Sequence, residues 1–486
     1  MEFFLGIDLG ASALKACLVD EAGQSHAVAR APYATQNPEI GHSEQDPQDW
    51  RKAMQKALAN LRETHADAFA GIKAVSFSGG AHIGVLCDAA DRPLRPAIMW
   101  SDQRAHEEAA ALAAAAKVEK LAGNTPNATW TLPQLIWLKA HEPHHIAATQ
   151  KLFFAKDWLA AQLTGAHVSD KSEAVGSLMA DHNGDWHDEL TGMSGLKGEA
   201  FPALVESGAD IGPIKSAAAA DFGLPATAKV YQGAIDTSME WLCAAPPNSP
   251  PAKTPDNEMA TLKLASAGVI SFATQNPTRF APVSYYPHIL DGLSYHAAGM
   301  SDCMGAIDFI RQNMTPHLSA AAFEEAAQSA AAGAEGLFFY PYLSGARAPF
   351  WDASLTAEMR GLTRGHGQNA IARAAYEGVG HVLTAIWHDM TAKLGHRPQA
   401  LQILGGGGQS DFFCQILADM LDVPLYRGHE TDCAYASALF AAAIFRGENP
   451  ADKARAAYRS QGEFTPDKTA SAVYASFHQA FMARHA

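Results

Sequence analysis

The stretch Phe4-Leu-Gly-Ile-Asp8-Leu-Gly10-Ala-Ser12-Ala-Leu-Lys15-Ala-Cys-Leu-Val-Asp20 decides how the rest of the chain is read. Two short apolar runs flank a turn of small residues, which predicts a β-hairpin. Gly10, Ala11, Ser12 and Ala13 carry so little bulk that backbone N–H groups of the turn can approach a phosphate. Asp8 stands at the mouth of the turn, where a carboxylate can hold a hydrated divalent cation. Lys15 opens the second run with a charge suited to phosphate oxygens. A Walker A loop or a dinucleotide fingerprint would run into a helix, whereas Ala16-Cys17-Leu18-Val19 continues as a strand.

A plain hairpin with an acidic strand end would carry the same residues, so the remainder of the chain must arbitrate. Strand–turn–strand phosphate clamps belong to the ATPase architecture shared by actin, hexokinase and the sugar kinases, and the pattern returns downstream. Thr261-Leu-Lys-Leu-Ala265-Ser266-Ala267-Gly268-Val-Ile-Ser-Phe272 is again strand, small-residue turn and strand. A third site, Leu401-Gln-Ile-Leu404-Gly405-Gly406-Gly407-Gly408-Gln409-Ser410, leads into a helix over 411–421, a place where backbone can lie against a nucleotide. Between the hairpins, the proline-rich segment 246–255 breaks regular structure. The expected class is therefore α/β, with two related domains of the actin/hexokinase-like (ribonuclease H-like) ATPase fold, 1–245 and 246–486, and a cleft between them.

A chain of 486 residues is too long for one core, which agrees with two domains. Its net charge of −15 disfavours a nucleic-acid partner. No apolar run is long enough to span a bilayer, and the start Met1-Glu2-Phe3-Phe4 lacks the basic flank of a secretory signal. Six scattered cysteines without a Cys-x-x-Cys pair read as reduced thiols in a cytoplasmic enzyme.

Local signals fill in the first half. Asp46-Pro47 predicts a capped helix through about Glu63. Val85-Leu86-Cys87 and Ala97-Ile98-Met99-Trp100 read as a second hairpin, with Ser101 capping a helix over 105–120. Asp236 sits between a strand and a helix start, where it is either a base able to accept an alcohol proton or a simple cap. His82 and Asp102 follow strands and can meet sugar hydroxyls or satisfy local backbone. Arg373 and Glu377, at helical i,i+4 spacing, read as a surface salt bridge.

Several ordered motifs together resemble the FGGY carbohydrate kinases, from Phe4 to about Gly447. They are Gly6-Ile-Asp8-Leu-Gly10-Ala-Ser12, Gly79-Gly-Ala-His82, Arg95-Pro96 through Trp100-Ser-Asp102-Gln-Arg104, Ile136-Trp137-Leu-Lys139-Ala-His-Glu142-Pro143, Lys156-Asp157-Trp158-Leu159, Pro341-Tyr342-Leu-Ser344-Gly345-Ala-Arg347, Ala372-Arg373-Ala-Ala-Tyr-Glu377-Gly378 and the glycine run at 405–408. Within the family they are nearest to the enzymes that act on xylulose.

The resemblance implies an ATP-dependent kinase for a ketopentose, D-xylulose first, with Mg²⁺. It implies that Asp236 is the general base and that Asp8 holds the metal through water. Gly10, Ser12, Lys15 and Ser266 would line the phosphates, with Gly405, Gly406, Gly407 and Gly408 beside adenosine. Ala81, His82, Trp100, Asp102 and Thr237 fall where the ketose is expected. Glycerol kinases carry Arg-Glu in place of Ala81-His82, which favours a ketose. A homodimer is the family's common assembly. Ala11, Ala265, Gln134 and Ala346 depart from the family's usual residues and bear on nucleotide affinity and the choice of sugar. The rival readings are a kinase for another ketose or polyol, and a non-catalytic sugar- or nucleotide-responsive protein of the same fold.

Overall fold

The computed structural model describes residues 1–244, 260–275, 278–290 and 292–485, so the proline-rich segment 246–255 lies outside the described residues. Two compact units emerge. The first comprises Met1–Ala245, Asn276–Ser294 and Glu430–Tyr458, and the second comprises Pro246–Gln275, Tyr295–His429 and Arg459–Ala486. The units are thus not two consecutive halves, as the sequence suggested. The chain returns to the first one twice, and the second return brings the helix Cys433–Arg446 onto its sheet.

That sheet contains β1 (Phe3–Leu9), β2 (Ala13–Asp20), β3 (Ser25–Pro32), β4 (Ile72–Gly79), β5 (Asp210–Pro213) and β6 (Lys229–Ile235), in the order β5-β6-β4-β1-β2-β3. The expected hairpin is present, with Asp8 opposite Lys15 in the β1–β2 register. On its other side β1 pairs in parallel with β4, setting Asp8 opposite Ser78. Strand β6 pairs in parallel with β4, with Ile235 opposite Gly79. The carboxyl ends of β1, β4 and β6 therefore share one edge, the end of a parallel sheet at which α/β folds place ligands.

Strand β1 is buried along its whole length, apolar but for Asp8 near its end. Leu5, Ile7 and Leu9 join a core with Trp50, Met54 and Leu58 of the helix Pro47–Thr64, which Asp46 caps at Gln48 N (2.9 Å). The alternate face meets the helix Cys433–Arg446. There Phe4 packs on Phe445, and a Cβ added to Gly6 would lie 1.9 Å from the Ala434 carbonyl oxygen. Glycine at position 6 is what lets that helix lie directly on the strand backbone.

Two local expectations fail. Gly84–Cys87 pairs with Lys151–Phe154, and Ala97–Ile98 pairs with Glu44–Gln45, so the second hairpin does not form. Each strand pairs instead with a segment remote from the other, while Cys87 keeps an isolated antiparallel bridge to Pro93. The 105–120 segment forms two helices, His106–Ala114 and Lys117–Ala122, divided at Ala116 (φ 53°). Ser101 caps neither; its hydroxyl meets that of Ser43.

In the second unit, β7 (Ala260–Leu264), β8 (Gly268–Thr274), β9 (Ser294–Met300), β10 (Leu401–Leu404), β11 (Leu425–Gly428) and β12 (Ser460–Phe464) run in the order β9-β8-β7-β10-β11-β12. Here too a hairpin, β7–β8, has a parallel strand, β10, on its outer side. Arg373 and Glu377 lie on the helix Gln368–Leu394 but are buried, not on the surface. Arg373 Nε donates to Glu377 Oε1 at 2.6 Å, and Glu377 also accepts from Gly333 N (3.0 Å) and Tyr474 OH (3.1 Å). The i,i+4 spacing fixes the pairing but not the exposure, because neighbouring elements cover this helix. Among the described residues no helix is long and apolar enough to cross a membrane.

Candidate active site

The first unit gathers charge at the shared edge of β1, β4 and β6. Asp8 is 5% exposed, and its Oδ1 accepts from Ser78 Oγ at 2.8 Å. Burial, reinforced by Asp432 and Asp236, pushes its carboxyl up to about 7. Lys15 forms an ion pair with Asp432. Burial opposes the lysine's charge, but Asp432 and Asp8 outweigh it and hold the ammonium above its ordinary range. Asp432 is fixed from its other oxygen, which caps the helix Cys433–Arg446 at Ala434 N (2.9 Å). Sequence reasoning missed Asp432: it lies 417 residues from Lys15, and only the fold brings the two together.

The turn between β1 and β2 is pinned from behind. Tyr33 OH donates to the Gly10 carbonyl and Gln45 Nε2 to that of Ala11 (2.8 Å), while Ala11 and Ser12 stay exposed. A turn tethered by its carbonyls keeps a fixed shape for an anion to meet.

Asp236 ends β6 and begins the short helix Asp236–Met239. It is half-buried, and its Oδ1 accepts from Thr237 N at 2.7 Å. That contact is to the adjacent amide and is not a helix cap, since Ile235 holds the cap position without a side-chain cap bond; the half-buried carboxylate is electrostatically coupled to Asp8. Cys433 Sγ donates to the Asp236 carbonyl at 3.6 Å, tying the helix 433–446 to the same corner.

The residues expected around a sugar divide. His82 has φ 70° and stacks on Trp130 with ring centroids 4.5 Å apart. Burial pulls its imidazole down to about 4, so the ring is neutral. Nδ1–H donates to the Gly176 carbonyl, and Nε2 accepts from Tyr286 OH (3.0 Å). Both ring nitrogens are spent inside the protein. Asp102 is wholly buried and accepts from Ser43 N and from three donors of Arg104, N, Nε and Nη2. Four donors fill a carboxylate's acceptor sites, which makes Asp102 a support of the adjoining wall. Ala81 and Thr237 are half-buried, and Trp100 is 44% exposed.

In the second unit, Ser266 is exposed on the β7–β8 turn, its carbonyl accepting from Cys303 N at 2.7 Å. The glycine run is not uniform. Gly405 (φ 83°) would place a Cβ 2.5 Å from the Leu264 carbonyl oxygen, and Gly407 would meet Met304 Sδ at 2.6 Å. Gly408 is buried against Ile403, and its carbonyl accepts from Arg427 Nη1 at 2.7 Å. Only Gly406 is exposed with open space where a side chain would stand. Three of these glycines are held by packing, and Gly406 is the one with room beside it.

Comparison with known proteins identifies the family. Residues 3–243 match the N-terminal domain of the FGGY family of carbohydrate kinases, and residues 266–444 match its C-terminal domain. A xylulose kinase of Escherichia coli is 32% identical over 422 residues, covering 86% of this chain and 84% of that protein. A solved xyloylose kinase from Brucella ovis superposes with a TM-score of 0.91 at 27% identity, over 99% of this chain and 98% of that one. Xylulose kinase from Rhodospirillum rubrum gives 0.90 at 26% identity, over 100% and 98%. With both domain models matched and the actin/hexokinase-like fold in place, the chain belongs to the FGGY family of carbohydrate kinases.

Proposed function

We propose that this kinase transfers the γ-phosphoryl group of ATP to the terminal hydroxyl of a ketopentose, D-xylulose, in the cytoplasm. The observation that carries the reading is the convergence of Asp8, Ser78, Lys15 and Asp236 on one sheet edge. The names of the relatives support the choice of sugar.

Asp236 accepts the proton of the attacking hydroxyl as the sugar oxygen bonds to phosphorus and the bond to the ADP oxygen breaks. Phosphoryl transfer of this kind is governed by positioning and by neutralising charge. Lys15, Gly10 and Ser12 meet the phosphates, exchanging the Lys15–Asp432 pair for a phosphate contact, and Ser266 and Gly406 serve the nucleotide from the second unit. The loop through Ala81 and His82, with Thr237 and Trp100, borders the sugar; His82 shapes that wall through its stack on Trp130 and not through a ring nitrogen.

The residues fit Mg²⁺. Among the described residues no group of three or more His, Cys, Asp or Glu is arranged to hold a metal. One buried carboxylate at a phosphate turn is nevertheless what a magnesium ion needs when it keeps several waters and takes its other ligands from phosphates. Asp8 would hold it, and the ion would neutralise phosphate charge. The Asp8 carboxyl, which burial biases toward protonation, would then stay ionised.

The test is ADP release measured over ketopentoses, hexuloses, gluconate, glycerol and other polyols. The highest kcat/KM is expected for D-xylulose. A higher value for another substrate would reassign the sugar, and no stimulation by any of them would overturn the kinase reading.

A further inference from the structure

One buried charge network is not used by the chemistry above. Lys156 has no exposed side-chain surface and pairs with Asp157 (2.6 Å) and Asp170 (2.5 Å), while Gln232 Nε2 donates to Asp157 at 2.7 Å. Asp170 caps the short helix Lys171–Gly176, accepting from Ser172 N (2.8 Å) and from the Ser172 hydroxyl. Three features of that helix then reach two other parts of the site. Ser172 Oγ accepts from Ile235 N at 3.1 Å, one residue before Asp236. Glu173 Oε2 accepts from His82 N at 3.3 Å, and the Gly176 carbonyl takes the His82 ring proton. Glu173 is fully buried, and its other oxygen, Oε1, has no partner.

Burying four ionisable groups costs more free energy than a well-packed apolar core, so the network is poorly explained as a source of stability. It is better explained by what it fixes. Hydrogen bonds to fixed charges are the strong ones, and here a single lysine anchors, through Asp170 and Ser172, the amide that sets the position of Asp236.

We propose that the helix Lys171–Gly176 is a positioning element. Ser172 places the base by holding Ile235 N, and Glu173 places the sugar-side loop by holding His82 N. The division of labour rests on the kinase reading only for its kinetic readout. Ser172 governs turnover through the approach of Asp236, since misplacing a reacting group by about 1 Å costs as much as about 100-fold. Glu173 governs sugar affinity through the loop at His82.

Ser172→Ala is expected to lower kcat by about tenfold while KM for the sugar stays within about twofold, and Ser172→Thr, which keeps the hydroxyl, restores most of the loss. Glu173→Ala is expected to raise KM about tenfold with kcat within about threefold, and Glu173→Gln, which keeps an acceptor for His82 N, stays near wild type. Amide hydrogen exchange on the full chain without substrate gives a second readout. Exchange should quicken at Ile235 in Ser172→Ala and at His82 in Glu173→Ala, each without the other. Wild-type kcat in Ser172→Ala, or a parallel loss of kcat and affinity in both variants with a lowered melting temperature, overturns the proposal. If no sugar or polyol stimulates ADP release by wild type, the kinase reading falls; the exchange pattern still decides whether the helix positions these two amides.

Discussion

The two hairpins are built alike and equipped differently. Each is an antiparallel pair flanked by a parallel strand, β4 beside β1 and β10 beside β7. In the first, Leu9 and Leu14 close the turn and the next pair inward is Asp8 opposite Lys15. In the second, the corresponding register sets Lys263 opposite Val269, and the turn closes between Leu264 and Gly268. Strand β6 adds Asp236 to the first edge, whereas β10 ends in glycines whose missing side chains make room for Leu264 and Met304. One frame thus carries titratable chemistry and the other carries backbone surface.

Removing the base should break the asymmetry most severely. Asp236→Asn keeps the size of the side chain and an acceptor for Thr237 N but cannot take a proton. General base catalysis contributes on the order of 10²–10⁴-fold, so kcat should fall by about 10³-fold with sugar KM little changed. Steady-state ADP release checks this, and near-normal turnover would exclude Asp236 as the base.

Asp8→Asn is expected to cost about 10²-fold in activity and to raise the magnesium concentration needed for half-maximal rate. It should also stabilise the metal-free protein. The folded carboxyl is raised from an ordinary 3.8 to about 7, chiefly by burial. A group raised in this way contributes stability that is complete below the ordinary value and is lost as pH climbs through about 7. Wild type therefore weakens between about pH 4 and 7 where the amide does not. Thermal melts in chelator at pH 8 should show the variant ahead by up to about 4 kcal/mol, with little difference at pH 4. Equal melting temperatures at pH 8 would mean that Asp8 carries no such burden.

The fold was legible because its signals are local and repeated. Small-residue turns between apolar runs marked both hairpins, and Asp46-Pro47 marked a helix start that Asp46 does cap. What failed was non-local. The partner of Gly84–Cys87 lies more than sixty residues on, and nothing in an apolar tetrad names its partner. The places of Asp8, Lys15 and Asp236 at strand ends and turns were readable, and the fold brings the three to one edge. Asp432, Ser172 and Glu173 were not readable, because each acts through a contact made only after the chain has folded back. Arg373 and Asp102 show the converse, since a polar side chain read from sequence as exposed or ligand-facing can be fully satisfied inside. A motif gives the residue type a site requires, and burial decides whether its atoms remain free to act.

The mildest test sharpens the distinction within the second unit. If the glycine run were a uniform nucleotide rim, alanine at any of its positions would weaken ATP binding similarly. The structure separates the positions. At Gly405 a Cβ meets a backbone carbonyl at 2.5 Å and φ is 83°, so neither a rotamer change nor a small shift relieves it. Gly405→Ala should cost about 2 kcal/mol or more of stability, lowering the melting temperature and disturbing the β7–β10 edge. Gly406 has no atom within 4 Å of the added methyl and no positive φ, so Gly406→Ala should melt within about 1 °C of wild type. If Gly406 faces the nucleotide, that variant still raises KM for ATP, by about threefold, and leaves sugar KM unchanged. An unmoved ATP KM would show that the run is present only to let β10 turn beneath β7. The second hairpin would then bind nucleotide through Ser266 and its neighbours alone.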